Sequence, residues 1–101
     1  MSDQVARYGR MQAKPGHGDE LAELMVAEAD KLGSLGGCLV YLVNRAKADP
    51  DTIWITELWR DQAELDASIR AIDRDSIARV RELVVDGEMV ELDLIGGKGP
   101  G

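Results

Sequence analysis

Two apolar runs decide the fold of this chain: CLVYLVN at residues 38–44 and TIWITELW at residues 52–59. The first run is continuously apolar from Cys38 to Val43, and both faces of the second are largely apolar, which is typical of strands covered on two sides. Asp49-Pro50-Asp51 lies between them and is a strong turn signal. The pattern therefore predicts two successive strands, each covered on both faces.

Helical patterns flank this pair of strands. Apolar side chains at helical spacing predict one helix over residues 19–32, and a second helical stretch opens after Asp61. Asp61 and Glu64 have the spacing of a capping box, in which the two residues satisfy orphan N–H groups at the helix start. Asp73 and Asp75 divide the stretch into two helices if either of them acts as a new cap.

Further strands are predicted near the two ends of the chain. One covers residues 5–13, and the other covers residues 88–95, after Gly87 ends the helical stretch. The order β-α-β-β-α-β predicts an α+β domain in which a four-stranded antiparallel sheet carries both helices on one face. Residues 1–95 would form this single domain, and residues 96–101 a flexible Gly-rich tail.

The predicted helices leave one face of the sheet without a cover. The predicted second and third strands are apolar on both sides, so water is a poor partner for that face. A second copy of the sheet, packed face to face, would bury the apolar surface and protect the sheet edges. We therefore predict a homodimer, and a monomer with an exposed apolar face is the alternative.

Composition excludes several classes of partner. The 101 residues suit one domain, and with 45% apolar residues but no Phe the core must be mainly aliphatic. The net charge of −7 repels phosphate backbones, so no nucleic-acid partner is expected. No apolar run reaches the ~18 residues of a membrane helix, and the N-terminus lacks signal-peptide features. We predict a cytoplasmic protein that does not bind membranes.

The sequence offers little material for a metal or nucleophilic site. His17 is the only histidine, and Cys38 is the only cysteine, so no intrachain disulfide can form. A zinc site needs about four suitable ligands, and no Ser-His-acid set can be assembled from one loop histidine. No dinucleotide fingerprint is present either. We predict neither a metal nor a cofactor.

Several motifs, taken in order, resemble an antibiotic biosynthesis monooxygenase domain. KPG at residues 14–16 precedes a helix, GGCLVY at 36–41 is similar to the family's P-G-C-x-x-Y strand, and IWITELW at 53–59 followed by DQAEL at 61–65 is similar to its E-x-W strand and next helix. The similarity spans about residues 5–95. The resemblance implies a ferredoxin-like fold that dimerises into an α+β barrel, with a pocket between the sheet and the helices of each subunit.

The resemblance also implies a choice of activities. Some family members oxygenate aromatic polyketides or quinols with O2 and without a metal or flavin, and others open haem. The haem-opening members use an Asn on the first strand and a His on the last helix. Here Gly9 stands at about the first place and no histidine follows His17, so haem opening is not expected. Ser68 stands where the family often has His, and Gly36 where it usually has Pro.

Five residues are candidates for the site. Trp59 and Tyr41 would hold an aromatic ring, and core packing is the alternative for both. Glu57, two residues before Trp59 on the same strand face, would take a phenolic proton as a general base. Pairing of Glu57 with an arginine, either Arg7 or Arg45, is the alternative.

Arg7 and Ser68 complete the set of candidate ligand-binding residues. The resulting hypothesis is a small, cofactor-independent monooxygenase that oxidises a quinol-like or polyphenolic aromatic with O2. The alternative is a non-catalytic dimer of the same fold that binds or senses a small aromatic molecule, which Ser68 in place of His favours. A structural domain with a closed pocket also remains open, because a fold does not determine a function.

Overall fold

A computed structural model of the protein describes residues 3–99, so the outermost positions of the predicted domain and tail, 1–2 and 100–101, lie outside the described residues. The described residues form four strands and three helices in the order expected for an α+β domain, and residues 94–99 have no regular structure. The elements are β1 (Val5–Ala13), α1 (Gly18–Gly33), β2 (Cys38–Arg45), β3 (Thr52–Trp59), α2 (Gln62–Arg70), α3 (Arg74–Leu83) and β4 (Val84–Asp93).

The four strands form one antiparallel sheet in the order β2-β3-β1-β4. The helices lie on one face of it, and the predicted ferredoxin-like fold is confirmed. On β3, Glu57 is the register partner of Arg7 on β1 and of Tyr41 on β2. Because side chains of directly paired residues point to the same face, these three lie side by side on the face that carries the helices.

The predicted helical stretch after β3 consists of two helices, each with an aspartate cap. The Asp61 side chain accepts a hydrogen bond from the backbone N–H of Glu64 at 2.9 Å. Asp73 does the same for Ser76 at 2.8 Å, whereas Asp75 lies within the first turn of α3. Such caps typically stabilise a helix by about 1 kcal/mol.

The prediction that Gly87 ends the helical stretch is wrong. Helix α3 ends at Leu83, and β4 begins directly at Val84. Gly87 lies inside β4 opposite Met11, where a Cβ atom would come within 2.8 Å of the Arg10 carbonyl oxygen. The glycine therefore allows a close approach of two strand backbones rather than a helix stop.

The core lies between the sheet and the helices in two clusters. It is aliphatic apart from one tryptophan, in agreement with the composition, and Trp59 is fully buried. One cluster contains Ala13, Leu21, Met25, Ile53, Ile55 and Leu83, and the other contains Val5, Leu32, Trp59 and Leu65.

The opposite face of the sheet carries no helix, as predicted, and its apolar side chains are exposed. Trp54 is 43% exposed and Leu42 is 54% exposed. Tyr8, Val90 and Leu92 extend this surface across β1 and β4. We call these five residues the open face.

Within residues 3–99, no helix is long and apolar enough to cross a membrane.

Candidate functional site

A cavity of about 240 Å³ lies between the helix-bearing face of the sheet and helices α1 and α3. This is the place that the family resemblance implied for a ligand pocket. Most of its wall is apolar, and a few polar side chains converge on it, which is the usual composition of a small-molecule site. It is lined by Arg7, Met11, Met25, Glu28, Leu32, Tyr41, Ile72, Ser76, Ile77, Val80, Arg81 and Met89.

Two of the predicted ligand-binding residues, Arg7 and Tyr41, meet in this cavity. They come from the strands on either side of β3 and flank Glu57. Burial raises the pKa of the Tyr41 hydroxyl, and the neighbouring Glu57 carboxylate raises it further. Tyr41 therefore stays neutral and can donate a hydrogen bond, while Arg7 brings a positive charge to the same wall.

Glu57 lies behind this wall and is almost fully buried. Its Oε1 accepts a hydrogen bond from Trp59 Nε1 at 2.9 Å, and its Oε2 lies 3.6 Å from Arg7 Nη1. Burial raises the pKa of Glu57, although the hydrogen bond from Trp59 and the charge of Arg7 both act to lower it. Of the two arginines considered above, Arg7 is thus the partner, because Arg45 pairs with Asp19 at 2.6 Å.

Trp59 and Ser68 lie in the adjoining core and do not line the cavity. The Trp59 ring packs with Leu32 and Leu65, and the Ser68 hydroxyl donates to the Leu65 carbonyl oxygen at 2.7 Å. Ser68 is 2% exposed. Their direct role in ligand binding therefore stays a prediction. In the structure, Trp59 donates a hydrogen bond that holds the Glu57 carboxylate in place.

Sequence reasoning missed Glu28, which faces the cavity from α1. It is the one charged residue in the apolar stripe of that helix, and it is 6% exposed. A carboxylate at a core position of an amphipathic helix was the available signal, because such groups are rarely buried without a reason.

The sequence also gave no indication that methionines would gather here. Met11, Met25 and Met89 line the cavity, which accounts for three of the four methionines in the chain. Met89 lies against Gly9, where a Cβ atom would collide with its sulfur. Thioethers pack well against aromatic edges and adapt to irregular shapes, so this wall suits a flat ring.

The remaining reactive side chains lie outside the cavity. His17 Nδ1 lies 3.1 Å from Glu20 Oε1 in an exposed position. Burial raises the pKa of the Cys38 thiol, which disfavours the thiolate that a nucleophilic role requires. Within residues 3–99, no three side chains of the metal-binding types come together.

Comparison with known proteins decides the family. The family model described as antibiotic biosynthesis monooxygenase matches residues 5–71, which is more than half of the chain. The chain belongs to the antibiotic biosynthesis monooxygenase family. Comparison with curated proteins found no match.

Solved structures of this monooxygenase family resemble the chain over nearly its whole length. A candidate antibiotic biosynthesis monooxygenase from Chloroflexus aurantiacus is 37% identical, with 97% of this chain and 99% of that chain covered and a TM-score of 0.82. One from Deinococcus radiodurans is 24% identical over 94% and 96% of the two chains, with a TM-score of 0.84. A mutant of SnoaB, a cofactor-independent oxygenase from Streptomyces nogalater, has the same fold at 13% identity, 95% and 97% coverage and a TM-score of 0.82.

Proposed function

We propose that this protein is a cofactor-independent monooxygenase that oxidises a quinol-like or polyphenolic aromatic substrate with O2. The observation that carries the proposal is the cavity, where Arg7 and Tyr41 converge with three methionines on a mostly apolar lining in a member of this family. The cavity of about 240 Å³ is smaller than the roughly 300–1,000 Å³ of drug-sized sites, so one or two rings suit it better than an extended polyketide.

The chemistry follows from the reactivity of the substrate itself. A phenol that loses its proton becomes electron-rich enough to react with O2 directly. For a hydroquinone, one oxygen atom forms a new bond to ring carbon and the other leaves as water. The ring loses four electrons and becomes a hydroxyquinone, so no external reductant is required. The protein would then mainly hold the substrate, favour its anion and exclude bulk water.

Each candidate residue has a role in this proposal. Arg7 stabilises the phenolate oxygen by its charge, and Tyr41 contacts the ring and donates a hydrogen bond. Glu57 is proposed to take part in proton removal, with Trp59 holding its carboxylate. Ser68 would affect ligand binding indirectly, through the packing of α2, because its hydroxyl already donates a hydrogen bond within that helix.

A homodimer and a cytoplasmic location belong to the same proposal. The open face exposes Leu42 and Trp54 by 54% and 43%, which is unfavourable for a sheet in water. A second copy of the chain packed on this face would remove both side chains from solvent and give the α+β barrel implied by the family. The free Cys38 is compatible with a reducing compartment.

The test is O2 uptake by the purified protein with a panel of hydroquinones and anthrones. Wild type should consume O2 faster than buffer alone, and ¹⁸O2 should label the product with one atom. Tyr41→Phe and Arg7→Gln should each reduce kcat/KM by about tenfold or more, because each removes a group that contacts the substrate. Absence of uptake by a folded protein across the whole panel would contradict the proposed reaction.

A second candidate function is non-catalytic binding or sensing of a small aromatic molecule. Ser68 favours it, because Ser68 stands in place of the histidine common in the family and its hydroxyl already donates to Leu65. Binding of an aromatic ligand in the cavity without any O2 uptake or product would support this second function over the first.

A further inference from the structure

A buried carboxylate without a hydrogen-bond partner borders the cavity. Glu28 is 6% exposed, and among the described residues its Oε1 has no hydrogen-bond partner. Its nearest cation is Lys31, whose Nζ lies 3.5 Å from that oxygen, at ion-pair distance but without hydrogen-bond geometry. Lys31 is itself largely exposed and also pairs with Asp73 at 3.5 Å. The Glu28 Oε1 atom is therefore buried without the hydrogen bond that buried polar atoms normally make.

Nothing in the packing of α1 requires a carboxylate at this position. The neighbouring core positions of the helix, Leu21, Met25 and Leu32, are all apolar. A buried polar group that makes no hydrogen bond lowers the stability of a fold, and a charged group lowers it more. An aliphatic residue would avoid this cost, and the ion pair with the largely exposed Lys31 offsets only part of it, so a ligand that donates to Oε1 would complete the hydrogen bonding of Glu28.

The chemistry of the other cavity walls shows what such a ligand must offer. Glu28 is the only carboxylate among the lining side chains, and the others with polar atoms are Arg7, Tyr41, Ser76 and Arg81. The arginines can only donate, and an ionised carboxylate can only accept. A ligand spanning the cavity therefore meets an acceptor on the side of α1 and a cation on the side of β1.

We propose that Glu28 is the specificity-determining residue of the site and accepts a hydrogen bond from a free hydroxyl of the aromatic substrate. The substrate class is then an aromatic with at least two oxygen substituents, one a hydroxyl facing α1 and the other an anionic or carbonyl oxygen facing Arg7. Aromatic ethers at the first position are excluded because they offer no hydrogen to Glu28. This inference rests on the aromatic-ligand site proposed above and sharpens its substrate.

The test compares a ligand that offers hydroxyl hydrogens with one that offers none, and the Glu28 variants show how much of the difference in affinity belongs to Glu28. Naphthohydroquinone and its dimethyl ether are titrated anaerobically, so that binding is measured without turnover. The proteins are wild type, Glu28→Gln, Glu28→Leu and the control Glu23→Gln, which removes an exposed carboxylate from the same helix. Circular dichroism and thermal unfolding establish that each variant is folded.

Wild type and Glu23→Gln should bind the diol at least about tenfold more tightly than the ether, since a hydrogen bond to a charged acceptor contributes that much. Glu28→Leu should lower this preference at least about threefold, because only the contact of the second oxygen with Arg7 remains, and Glu28→Gln should lie between, because its amide oxygen still accepts. An unchanged ratio in folded Glu28→Leu would overturn the inference. So would wild type that binds the ether as well as the diol, or that binds neither.

Failure of this inference and failure of the proposed reaction can be told apart. If wild type shows no O2 uptake but its preference for the diol falls in Glu28→Leu, the reaction is wrong and the recognition role stands. If O2 uptake occurs and the ratio of affinities is the same in wild type and Glu28→Leu, the reaction stands and the recognition role is wrong.

Discussion

The two faces of the sheet depart from ordinary patterning in opposite ways. The face beneath the helices holds charged groups where a core is expected, with Glu57 almost fully buried and Arg7 beside it at 3.6 Å. The open face exposes large apolar groups where polar ones are expected, including Trp54 and Leu42. Strand β3 contributes a tryptophan to each face, and only Trp59 is buried.

The difference indicates two separate functions for one sheet. Buried charge beside a cavity destabilises a fold unless a ligand or reaction uses it, so such groups cluster at functional sites. Exposed apolar surface is unfavourable unless another surface covers it, which indicates an interface. The covered face is therefore the candidate active site, and the open face is the candidate dimer interface.

The largest expected effect distinguishes the two tryptophans of β3. Trp59→Ala should lower the free energy of unfolding by about 3–5 kcal/mol, because it leaves a cavity in the core and removes the donor that fixes Glu57. Trp59→Phe, which keeps most of the volume, should lower it less. Urea denaturation measures both, and a loss below about 1 kcal/mol for Trp59→Ala would contradict this assignment of Trp59 to the core.

The open face can be tested by placing a charge at its most exposed described leucine, on the edge strand β2. Leu42→Asp should raise the dimer dissociation constant by about a hundredfold or more, since an aspartate there would be buried without a partner. Val26→Asp is the matched control, because Val26 is similarly exposed at 48% but lies on α1, away from the sheet. Sedimentation equilibrium should show a monomer near 11.0 kDa for Leu42→Asp and a dimer for the control. A monomeric wild type would refute the interface.

Burial of Glu57 predicts a dependence of stability on pH. Its pKa is raised in the folded protein above the ordinary value of 4.5, so on titration the unfolded chain ionises first. Below pH 4.5 the carboxyl is protonated in both states, and as the pH rises towards the folded pKa the wild type loses stability relative to Glu57→Gln. Unfolding free energies measured over this window should diverge in favour of Glu57→Gln, while Glu23→Gln follows wild type. Curves that converge with rising pH would contradict the raised pKa.

A smaller effect is expected at Gly9, beneath the cavity wall. The added methyl of Gly9→Ala would collide with the sulfur of Met89 and force that side chain to move. Because a methionine end is flexible, stability should fall by only about 1–2 kcal/mol. If the displaced Met89 side chain enters the cavity, Gly9→Ala should also lower the affinity for naphthohydroquinone. The double variant Gly9→Ala/Met89→Ala should then restore that affinity, because the displaced side chain is gone. Unchanged affinity in the single variant would place Met89 outside the ligand site.

Sequence patterns predicted the fold better than they predicted the site. The bounds of β1 and β3 agree with those predicted from β-forming residues and the turn signals beside them, and Asp61 and Asp73 act as caps because capping depends on nearby backbone groups. The start of β4 was missed because the pairing of Gly87 with Met11, about 75 residues earlier in the chain, outweighs the local helix-stop signal. Long-range pairing of this kind leaves no trace in a short window.

The cavity itself arises from contacts that no local pattern encodes. Arg7 and Tyr41 meet only because both of their strands pair with β3. The sequence shows Glu28 as a charged residue in an apolar stripe, but only the folded sheet shows that it lines the cavity together with Arg7 and Tyr41. Conversely, the family pattern favoured Trp59 as a pocket wall, whereas the packing of Leu32 and Leu65 encloses its ring in the core.

The most direct test of a reactive cavity on the covered face is O2 uptake with naphthohydroquinone by a matched pair of variants on α3. Ile77→Trp fills the cavity, whereas Ala78→Trp adds the same side chain to the exposed neighbouring position. The account predicts uptake by wild type and Ala78→Trp, and at least a tenfold lower kcat/KM for folded Ile77→Trp. Equal rates in all three proteins, or no uptake by wild type, would contradict it.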